Sequence, residues 1–390
     1  MPKPITLPRP SQRPDLLIIA GEHSGDHHAA AMLKDALLER PDMQVCALGG
    51  DALKRSGAQV IFDLVDHSVV GFAEVLKHYG FFKQLFASVV GWIAEHRPRA
   101  VCFVDYPGFN LRLAERLVKD GLARKGGGEI ALLYYISPQI WAWKGHRRFK
   151  MAKLLDALSV IFPFEVACYE DTDLPTEFVG HPFVAGGYQL SLAHNPTGPV
   201  LLLPGSRIAP VQRIFPVLVE SFLAYRAGDP DRRAIALYPS ASVKQQLQTI
   251  LAEVSGAAEV IDLQPAETPV EASAVLTSSG TMSLQVALAG IPGCIVYRAH
   301  WWTYFLGKNL VKIPYLGIAN ILLDRPAYPE FIQAAAEPGR LQTELQRLLA
   351  DDSAATTAAA NTQELRTLLG EGSQNSAATW LLAQMDSRLM

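Results

Sequence analysis

The sequence predicts an α/β protein built from two doubly wound parallel sheets, each in its own domain. Short apolar runs alternate with helical patterns along the chain, which is typical of parallel strands joined by crossover helices. The runs form two series separated by residues 186–199, a stretch rich in Gly, Pro and Asn. Of the 390 residues, 49% are hydrophobic and 19% are charged, which is enough apolar material for two buried cores and excludes a disordered chain.

The elements follow from these runs in order. The first domain, placed at residues 1–190, has predicted strands at 16–20, 44–48, 100–104, 131–135, 157–161 and 177–179. The second, placed at residues 195–350, has predicted strands at 200–203, 234–238, 259–261, 274–276 and 294–297. Helices are expected from about His27 and from Met282. Residues 351–390 are a helical tail whose two amphipathic helices either pack across the domains or exchange between subunits.

Charge and cysteine content exclude several classes of protein. The net charge is −3, so no global basic field attracts nucleic acid. The four cysteines have no C-x-x-C spacing and sit mostly in apolar runs, which predicts reduced thiols rather than disulfides or a zinc site. The proline-rich residues 1–14 lack the apolar core of a signal peptide, and no 18-residue apolar run predicts a membrane span.

Asp105 is the first candidate for chemistry. It follows the apolar run 100–104 directly, and ligands of open parallel sheets bind beyond the carboxyl ends of strands. An apolar strand behind a carboxyl raises its pKa, which suits a general base. An aspartate that caps the following helix is the alternative, and the sequence leaves both open.

Two glycine turns in the second domain are candidates for holding a diphosphate. The run 200–203 leads into Pro204, Gly205, Ser206 and Arg207, and the run 274–276 leads into residues 277–281 with Ser279, Gly280 and Thr281. Free backbone N–H groups, hydroxyls and a guanidinium suit phosphate, although either turn alone could be a simple helix cap. Neither turn carries the Walker or the G-x-G-x-x-G pattern.

Three further features have two interpretations each. The D-x-D triplets at 171–173 and 229–231 lie in polar turns and are read as solvated rather than metal-binding. His181 either donates to a ligand or stabilises a turn. The helical stripe that contains Phe82 and Phe86 either packs in the core or contacts acyl chains or membrane.

A second adhesive segment combines aromatic and basic side chains. Trp141 and Trp143 precede five lysines and arginines, and residues 301–312 repeat this chemistry with aromatic residues and two lysines. This composition favours an anionic membrane interface over a solvated helix face, and nucleic acid is the competing partner. The cations of the first segment include Lys144, Arg147 and Arg148.

Several blocks resemble the lipid-A-disaccharide synthase family. They span nearly the whole chain in order: A-G-E-H-S-G-D at 20–26, G-F-A-E-V-L at 71–76, D-Y-P-G-F-N at 105–110, Y-I-S-P-Q-I-W-A-W at 135–143, F-P-F-E at 162–165, V-G-H at 179–181, L-P-G-S-R at 203–207, S-G-T at 279–281 and the run 312–320.

This resemblance implies a GT-B glycosyltransferase, with two Rossmann-like domains facing a cleft and the C-terminal helices packing across. It implies inverting transfer from UDP-2,3-diacylglucosamine to 2,3-diacylglucosamine 1-phosphate without metal or cofactor, giving lipid A disaccharide 1-phosphate and UDP. The expected location is the cytoplasmic side of the inner membrane, attached peripherally, with no nucleic-acid partner and with a homodimer left open.

The resemblance also implies roles for single residues. Asp105 matches the essential aspartate and is expected to take the proton of the acceptor hydroxyl. The residues expected at the substrates or UDP are Ser24, His181, Gly205, Ser206, Arg207, Ser279, Gly280, Thr281, Gln285 and Asn320. The residues expected at membrane or acyl chains are Phe82, Phe86, Trp141, Trp143, Lys144, Arg147 and Arg148.

Three departures from the family pattern concern donor binding or the catalytic motif. Gln285 stands where the family commonly has a glutamate, Pro210 replaces a frequent acid, and Gly108 replaces an aspartate. Two alternatives therefore stay open. One is a soluble UDP-N-acetylglucosamine transferase or 2-epimerase of the same fold, and the other is a catalytically weak relative that binds lipid or nucleotide.

Overall fold

The chain forms two compact units in a computed structural model that describes residues 5–68, 79–299, 314–350, 352–371 and 376–387. One unit comprises residues 1–186 together with 372–390, and the other comprises residues 187–371. The first unit ends at Gly186, whereas the sequence places its end at residue 190.

The first unit is built on a seven-stranded sheet in the order β3-β2-β1-β4-β5-β6-β7. All of its paired strands are parallel. The strands are β1 Leu16–Ala20, β2 Val45–Gly49, β3 Gln59–Asp63, β4 Ala100–Val104, β5 Ala131–Tyr135, β6 Ala157–Val160 and β7 Thr176–Phe178. Strands β1, β2, β4, β5 and β6 are buried along their whole length, as expected for a sheet covered on both faces.

Helices of this unit follow the strands as crossovers. They are α1 His23–Glu39, α2 Asp51–Arg55, α3 Leu64–Ser68, α4 Tyr79–His96, α5 Pro107–Lys119 and α6 Arg147–Leu154. The motif G-E-H-S-G-D joins β1 to α1, and its buried Asp26 accepts hydrogen bonds from the backbone N–H groups of Gly50 (2.7 Å) and Ala52 (3.0 Å). This carboxylate therefore fixes the β2–α2 turn beside the first helix.

The second unit has a six-stranded parallel sheet in the order β11-β10-β9-β13-β14-β15, and a two-stranded sheet of β12 and β8. The strands are β8 Leu192–His194, β9 Val200–Leu203, β10 Ala234–Tyr238, β11 Ile261–Pro265, β12 Val270–Ala272, β13 Ala274–Ser278, β14 Gly293–Tyr297 and β15 Glu330–Ile332. The helices are α7 Ile208–Arg226, α8 Ala241–Glu253, α9 Ala257–Val260, α10 Thr281–Leu288, α11 Ile318–Leu323, α12 Pro338–Leu349 and α13 Ser353–Leu368.

The C-terminal tail divides between the two units. Helix α13 packs on α10 and α11 of the second unit. The last helix, α14 Ala377–Asp386, packs on α1 of the first unit, where Asp386 forms an ion pair with Arg40. The two amphipathic helices predicted in the tail are therefore present, and each buries its apolar face within one unit.

Helix α7 alone, among the described helices, is long and apolar enough to cross a membrane by length and composition. Its mean hydropathy over an 18-residue window is 1.2, but it carries the second core. Val211, Phe215, Leu218 and Phe222 are fully buried against the sheet and α12. A core helix can have the same length and apolar composition as a membrane span, so the buried face identifies α7 as a helix of the protein core.

Most predicted strands are confirmed, and the exceptions lie at sheet edges. The prediction for 259–261 is wrong in its bounds, because Glu259 and Val260 end helix α9 and the strand begins at Ile261. Strands β3, β8, β12 and β15 were not predicted. They are short or carry half-exposed polar residues, so they lack a continuous apolar run.

Candidate active site

The predicted site loops lie at the point in each sheet where the strand order reverses. In the first sheet this point separates β1 from β4, which are followed by Gly21 and Asp105. In the second sheet it separates β9 from β13, which are followed by the turns at 204–207 and 279–281. Ligands of doubly wound sheets bind at these switch points.

Asp105 is half-buried, and burial raises its pKa to about 7. The negative charge of Glu22 adds to the increase, while a hydrogen bond from the Tyr106 backbone N–H works against it. The N-cap of helix α5 is Tyr106, and that N-cap makes no side-chain capping bond. The helix-cap interpretation of Asp105 is therefore not supported, and its role as a general base stays a prediction.

A second carboxyl with a raised pKa lies close enough to Asp105 to interact with it. Burial raises the pKa of Glu165 to about 8, and the charge of Asp105 contributes to this increase. Its Oε1 accepts from the Trp141 indole N–H (3.1 Å) and its Oε2 from the Phe162 backbone N–H (3.1 Å). The sequence analysis does not predict Glu165 or Glu22 as site residues, but the burial of Glu165 and the effect of Glu22 on the pKa of Asp105 place both near the predicted base.

His181 lies in an aromatic cluster at the end of the same sheet. Its ring is 4.7 Å from Phe183, 5.4 Å from Phe162 and 6.5 Å from His28, between ring centroids. Its Nδ1 accepts from the Phe183 N–H at 3.1 Å, and burial lowers its pKa to about 3. These contacts support the turn-stabilising interpretation, and a contact with substrate stays a prediction. Ser24 is exposed in the first turn of α1.

The W-A-W segment presents one aromatic residue to the site and one to solvent. Trp141 is half-buried against Phe164, with ring centroids 5.3 Å apart, whereas the Trp143 side chain is 51% exposed. The Lys144 Nζ lies 4.0 Å from the Trp143 ring centroid, and the Arg147 guanidinium carbon lies 5.6 Å from it. Trp143, Lys144 and Arg147 form what we call the aromatic–basic patch.

Two other cations of this region are bound to acids. Arg148 forms a two-bond ion pair with Asp171, with both N···O distances at 2.6 Å, and Lys150 pairs with Glu115 at 2.7 Å. In the described part of the chain, Lys144 and Arg147 form no ion pair. Arg148 therefore acts within the fold, whereas Lys144 and Arg147 of the patch, and also Lys153, carry charge that no acid of the described chain neutralises.

Helix α4 divides the predicted apolar stripe between the core and its edge. Its core residues are Leu85, Val89, Trp92 and Ile93. Phe86 is half-buried and packs edge-to-face on Phe109 at 5.7 Å, while Phe82 is half-buried beside Phe81. Core packing explains most of the stripe, and only its edge could meet a ligand. Residues 71–76 and 301–312 lie outside the described residues.

The two phosphate-type turns of the second unit are neighbours. Strands β9 and β13 pair through Leu203 and Thr277, and a Cβ on Gly205 would lie 3.3 Å from the Ser278 Oγ. Gly205 also has φ +114, a conformation that favours glycine. The structure thus brings Gly205, Ser206, Arg207, Ser279, Gly280 and Thr281 to one edge, where Arg207 and Ser206 are exposed.

Helices α7 and α10 begin at these turns without side-chain caps. Their first N–H groups are therefore available to an anion, and the helix dipole favours negative charge there. Pro210 stands in the first turn of α7 and has no N–H to offer. A Cβ on Gly108 would meet nothing within 4 Å, so this departure has no steric cause.

Gln285 is half-buried on α10, and its Nε2 donates to the Tyr188 hydroxyl at 2.9 Å. Tyr188 is 40% exposed. Because this bond uses the amide nitrogen, the Gln285 Oε1 can still accept a hydrogen bond from another group. The sequence could not reveal Tyr188, because it precedes its partner by 97 residues.

Asn320 is fully buried on α11 and acts within the fold. Its Nδ2 donates to the Tyr328 carbonyl (2.7 Å) and to the Glu330 carboxylate (2.9 Å), and its Oδ1 accepts from the Tyr328 N–H (2.8 Å). Glu330 also accepts from the backbone N–H groups of Leu316 and Gly317. Asn320 therefore ties α11 to the segment that leads into β15, and direct contact with UDP stays a prediction.

Metal-type clusters of three or more His, Cys, Asp or Glu side chains do not occur among the described residues. The D-x-D residues Asp171 and Asp229 pair with Arg148 and Arg232 in their turns. Both aspartates therefore form ion pairs, which the interpretation as solvated turn residues does not include.

The chain was compared with known proteins. A family model described as lipid-A-disaccharide synthetase matches residues 16–384. The chain is 33% identical over 379 residues to the lipid-A-disaccharide synthase of Geobacter sulfurreducens, covering 95% of this chain and 97% of that one. It is 35% identical over 367 residues to the same enzyme of Anaeromyxobacter dehalogenans, covering 91% and 93%.

Solved structures show the fold. The UDP-GlcNAc 2-epimerase of Neisseria meningitidis, solved with UDP-GlcNAc bound, aligns with a TM-score of 0.63 at 10% identity over 95% of this chain and 99% of that one. MurG of Acinetobacter baumannii aligns with a TM-score of 0.51 at 13% identity over 96% and 99%. At these identities the likeness establishes a GT-B architecture of two Rossmann-like units. With the family match over nearly its whole length, the chain belongs to the lipid-A-disaccharide synthase family, the hexosyltransferases of lipid A biosynthesis.

Proposed function

We propose that this chain transfers a diacylglucosamine residue from UDP-2,3-diacylglucosamine to 2,3-diacylglucosamine 1-phosphate, with Asp105 as general base. The proton of the acceptor 6-hydroxyl passes to the Asp105 carboxylate as the oxygen bonds to the anomeric carbon of the donor. The bond between that carbon and the diphosphate breaks, the configuration inverts, and UDP leaves. Products are the β-1,6-linked disaccharide 1-phosphate and UDP.

The observation that carries this proposal is the environment of Asp105. Asp105 follows the C-terminal end of strand β4 and has a pKa near 7, so about half of its carboxyl groups are ionised and can accept a proton at neutral pH. Its carboxylate is also a stronger base than that of an exposed aspartate. Family membership supplies the reaction for which such a base is needed.

The leaving diphosphate needs positive charge as its bond breaks. Arg207 is exposed at the turn after β9, beside the uncapped start of α10 at Gly280 and Thr281. A guanidinium and oriented N–H groups stabilise such charge without a metal ion. We assign the diphosphate to these two turns and the ribose to the free Oε1 of Gln285.

The aromatic–basic patch supports peripheral binding to an anionic membrane, which both diacylated substrates require. Trp143 is exposed, and the cations beside it are not neutralised by acids of the described chain. Aromatic rings and free cations together suit the lipid headgroup region. We extend the proposal to a location on the cytoplasmic face of the inner membrane, while self-association stays a prediction of the sequence.

The test of the base is Asp105→Asn, which keeps the size of the side chain. We expect kcat to fall by about 10²–10⁴-fold, the usual contribution of a general base, with little change in KM. The matched control is Asp120→Asn, which removes an equal charge from an ion pair with Arg116 at the end of α5. Near-normal turnover of Asp105→Asn, measured as UDP release, would assign the base to another group.

A further inference from the structure

The backbone at Asp105 is strained. Asp105 has φ +43 and Tyr106 has φ +49 and ψ +51, so two successive residues with side chains are left-handed. Neither is glycine, and this conformation is costly for such residues. It persists only where surrounding groups hold it, and it concentrates at functional sites.

Two buried donors hold the Asp105 carbonyl. The Asn110 Nδ2 lies 2.7 Å from this oxygen, and the Tyr134 hydroxyl lies 2.6 Å from it. Both side chains are fully buried. Burial raises the pKa of Tyr134 well above its usual value, so the hydroxyl stays protonated and donates.

The other end of the same peptide faces the carboxylate. The Tyr106 N–H lies close enough to the Asp105 carboxylate to lower its pKa. The Tyr106 ring packs so close to Gly21 that a Cβ there would lie 2.3 Å from it, and it stacks on Phe109 with centroids 6.1 Å apart. The peptide therefore has one face fixed by donors and the other by packing.

We propose that Asn110 and Tyr134 are positioning residues which, by binding the Asp105 carbonyl, hold the left-handed backbone of Asp105 and Tyr106 and thereby position the catalytic carboxylate. Neither side chain is required to touch substrate in this role. The inference rests on the proposed role of Asp105 as the base and goes beyond it, because it explains what keeps that base in place.

The test uses Tyr134→Phe and Asn110→Ala, each of which leaves the carbonyl with one donor. Each should lower kcat about five- to tenfold, the effect of one net hydrogen bond, while KM changes little. Each should also move the acidic limb of the pH profile of kcat/KM to higher pH, because the Tyr106 N–H is held less firmly. The double variant should lose more than the product of the two single losses, since it leaves the carbonyl without a side-chain donor.

The control is Tyr135→Phe, which removes the hydroxyl of the next residue on β5, whose side chain points to the opposite face of the sheet. It should keep the wild-type pH profile. Tyr134→Phe removes one oxygen and no carbon, so it decides the question even if Asn110→Ala does not fold.

Two failures can be told apart by measuring Asp105→Asn in the same series. If Asp105→Asn is inactive but folded Tyr134→Phe keeps the wild-type kcat and pH profile, the positioning role is overturned and the base remains. A variant with a lower melting temperature but an unchanged pH profile of kcat/KM would likewise overturn the positioning role. If Asp105→Asn turns over normally, the base is another group and the assignment of Asp105, on which this inference rests, fails.

Discussion

Asp105 combines a raised pKa with a strained backbone, and the first consequence is a specific pH dependence. Its pKa of about 7 means that the carboxyl is increasingly protonated, and inactive as a base, below neutral pH. We therefore expect kcat/KM to fall about tenfold per pH unit below pH 7 and to level off above it. A rate profile that stays flat between pH 5 and pH 8 would contradict this role.

Gln285 is the second residue whose chemistry can be tested directly. One N–H of its amide donates to Tyr188, and its oxygen remains as an acceptor for a ribose hydroxyl. A carboxylate accepts stronger hydrogen bonds, so Gln285→Glu should tighten UDP binding by about 1 kcal/mol, or roughly fivefold. Titration calorimetry with UDP measures the change, and Gln246→Glu on helix α8 is a control of equal charge. Unchanged affinity in Gln285→Glu would place the ribose elsewhere.

At the scale of elements, the turn before α6 should determine membrane binding. Trp143 and Lys144 are exposed, whereas Arg148 is bound to Asp171. Lys144→Gln should weaken binding to anionic vesicles about fivefold, since one basic residue near such a surface contributes about 1 kcal/mol. High salt should also weaken this binding, because it screens the charges. Lys34→Gln, an exposed lysine of α1, removes the same charge outside the patch. Equal losses in both variants would show that net charge, not the patch, is recognised.

The short helix at Pro182–Val184 depends on a neutral histidine. The pKa of His181 is lowered to about 3 by burial, from 6.5. Between these values the unfolded chain binds more protons, so the free energy of unfolding falls as pH falls below 6.5, by up to about 1.4 kcal/mol per pH unit. Denaturant unfolding between pH 7 and pH 4 measures this slope. His181→Asn keeps an acceptor for the Phe183 N–H but does not titrate, so its slope should be smaller; an equal slope would assign the effect to other groups.

At the scale of the whole molecule, the sequence reveals buried strands and site loops but not how distant side chains meet. The bounds of β1, β4, β5, β9 and β10 are predictable because each is a buried apolar run. The edge strand β3 is not, since its residues are mostly partly exposed. Asp105 can be predicted from the sequence because it directly follows a strand. The left-handed backbone at Asp105 and Tyr106 and the side chains that bind the Asp105 carbonyl cannot be predicted. They depend on Tyr134, which lies 29 residues further along the chain.

Metal independence is a property of the whole site. The diphosphate is assigned to Arg207 and two helix starts, and no group of three candidate metal ligands occurs among the described residues. We expect excess chelator to leave the rate unchanged. A complete loss of activity that magnesium restores would contradict this assignment.

The most direct test of the account is turnover of the purified chain with its two substrates. Incubation with UDP-2,3-diacylglucosamine and 2,3-diacylglucosamine 1-phosphate should release UDP and form disaccharide 1-phosphate in equal amounts, and omission of the acceptor should abolish disaccharide formation. Asp105→Asn should bind UDP as the wild type does and turn over about 10²–10⁴-fold more slowly. A wild-type chain that binds UDP but forms no disaccharide would contradict the account and identify a binding protein that has kept the fold without the reaction.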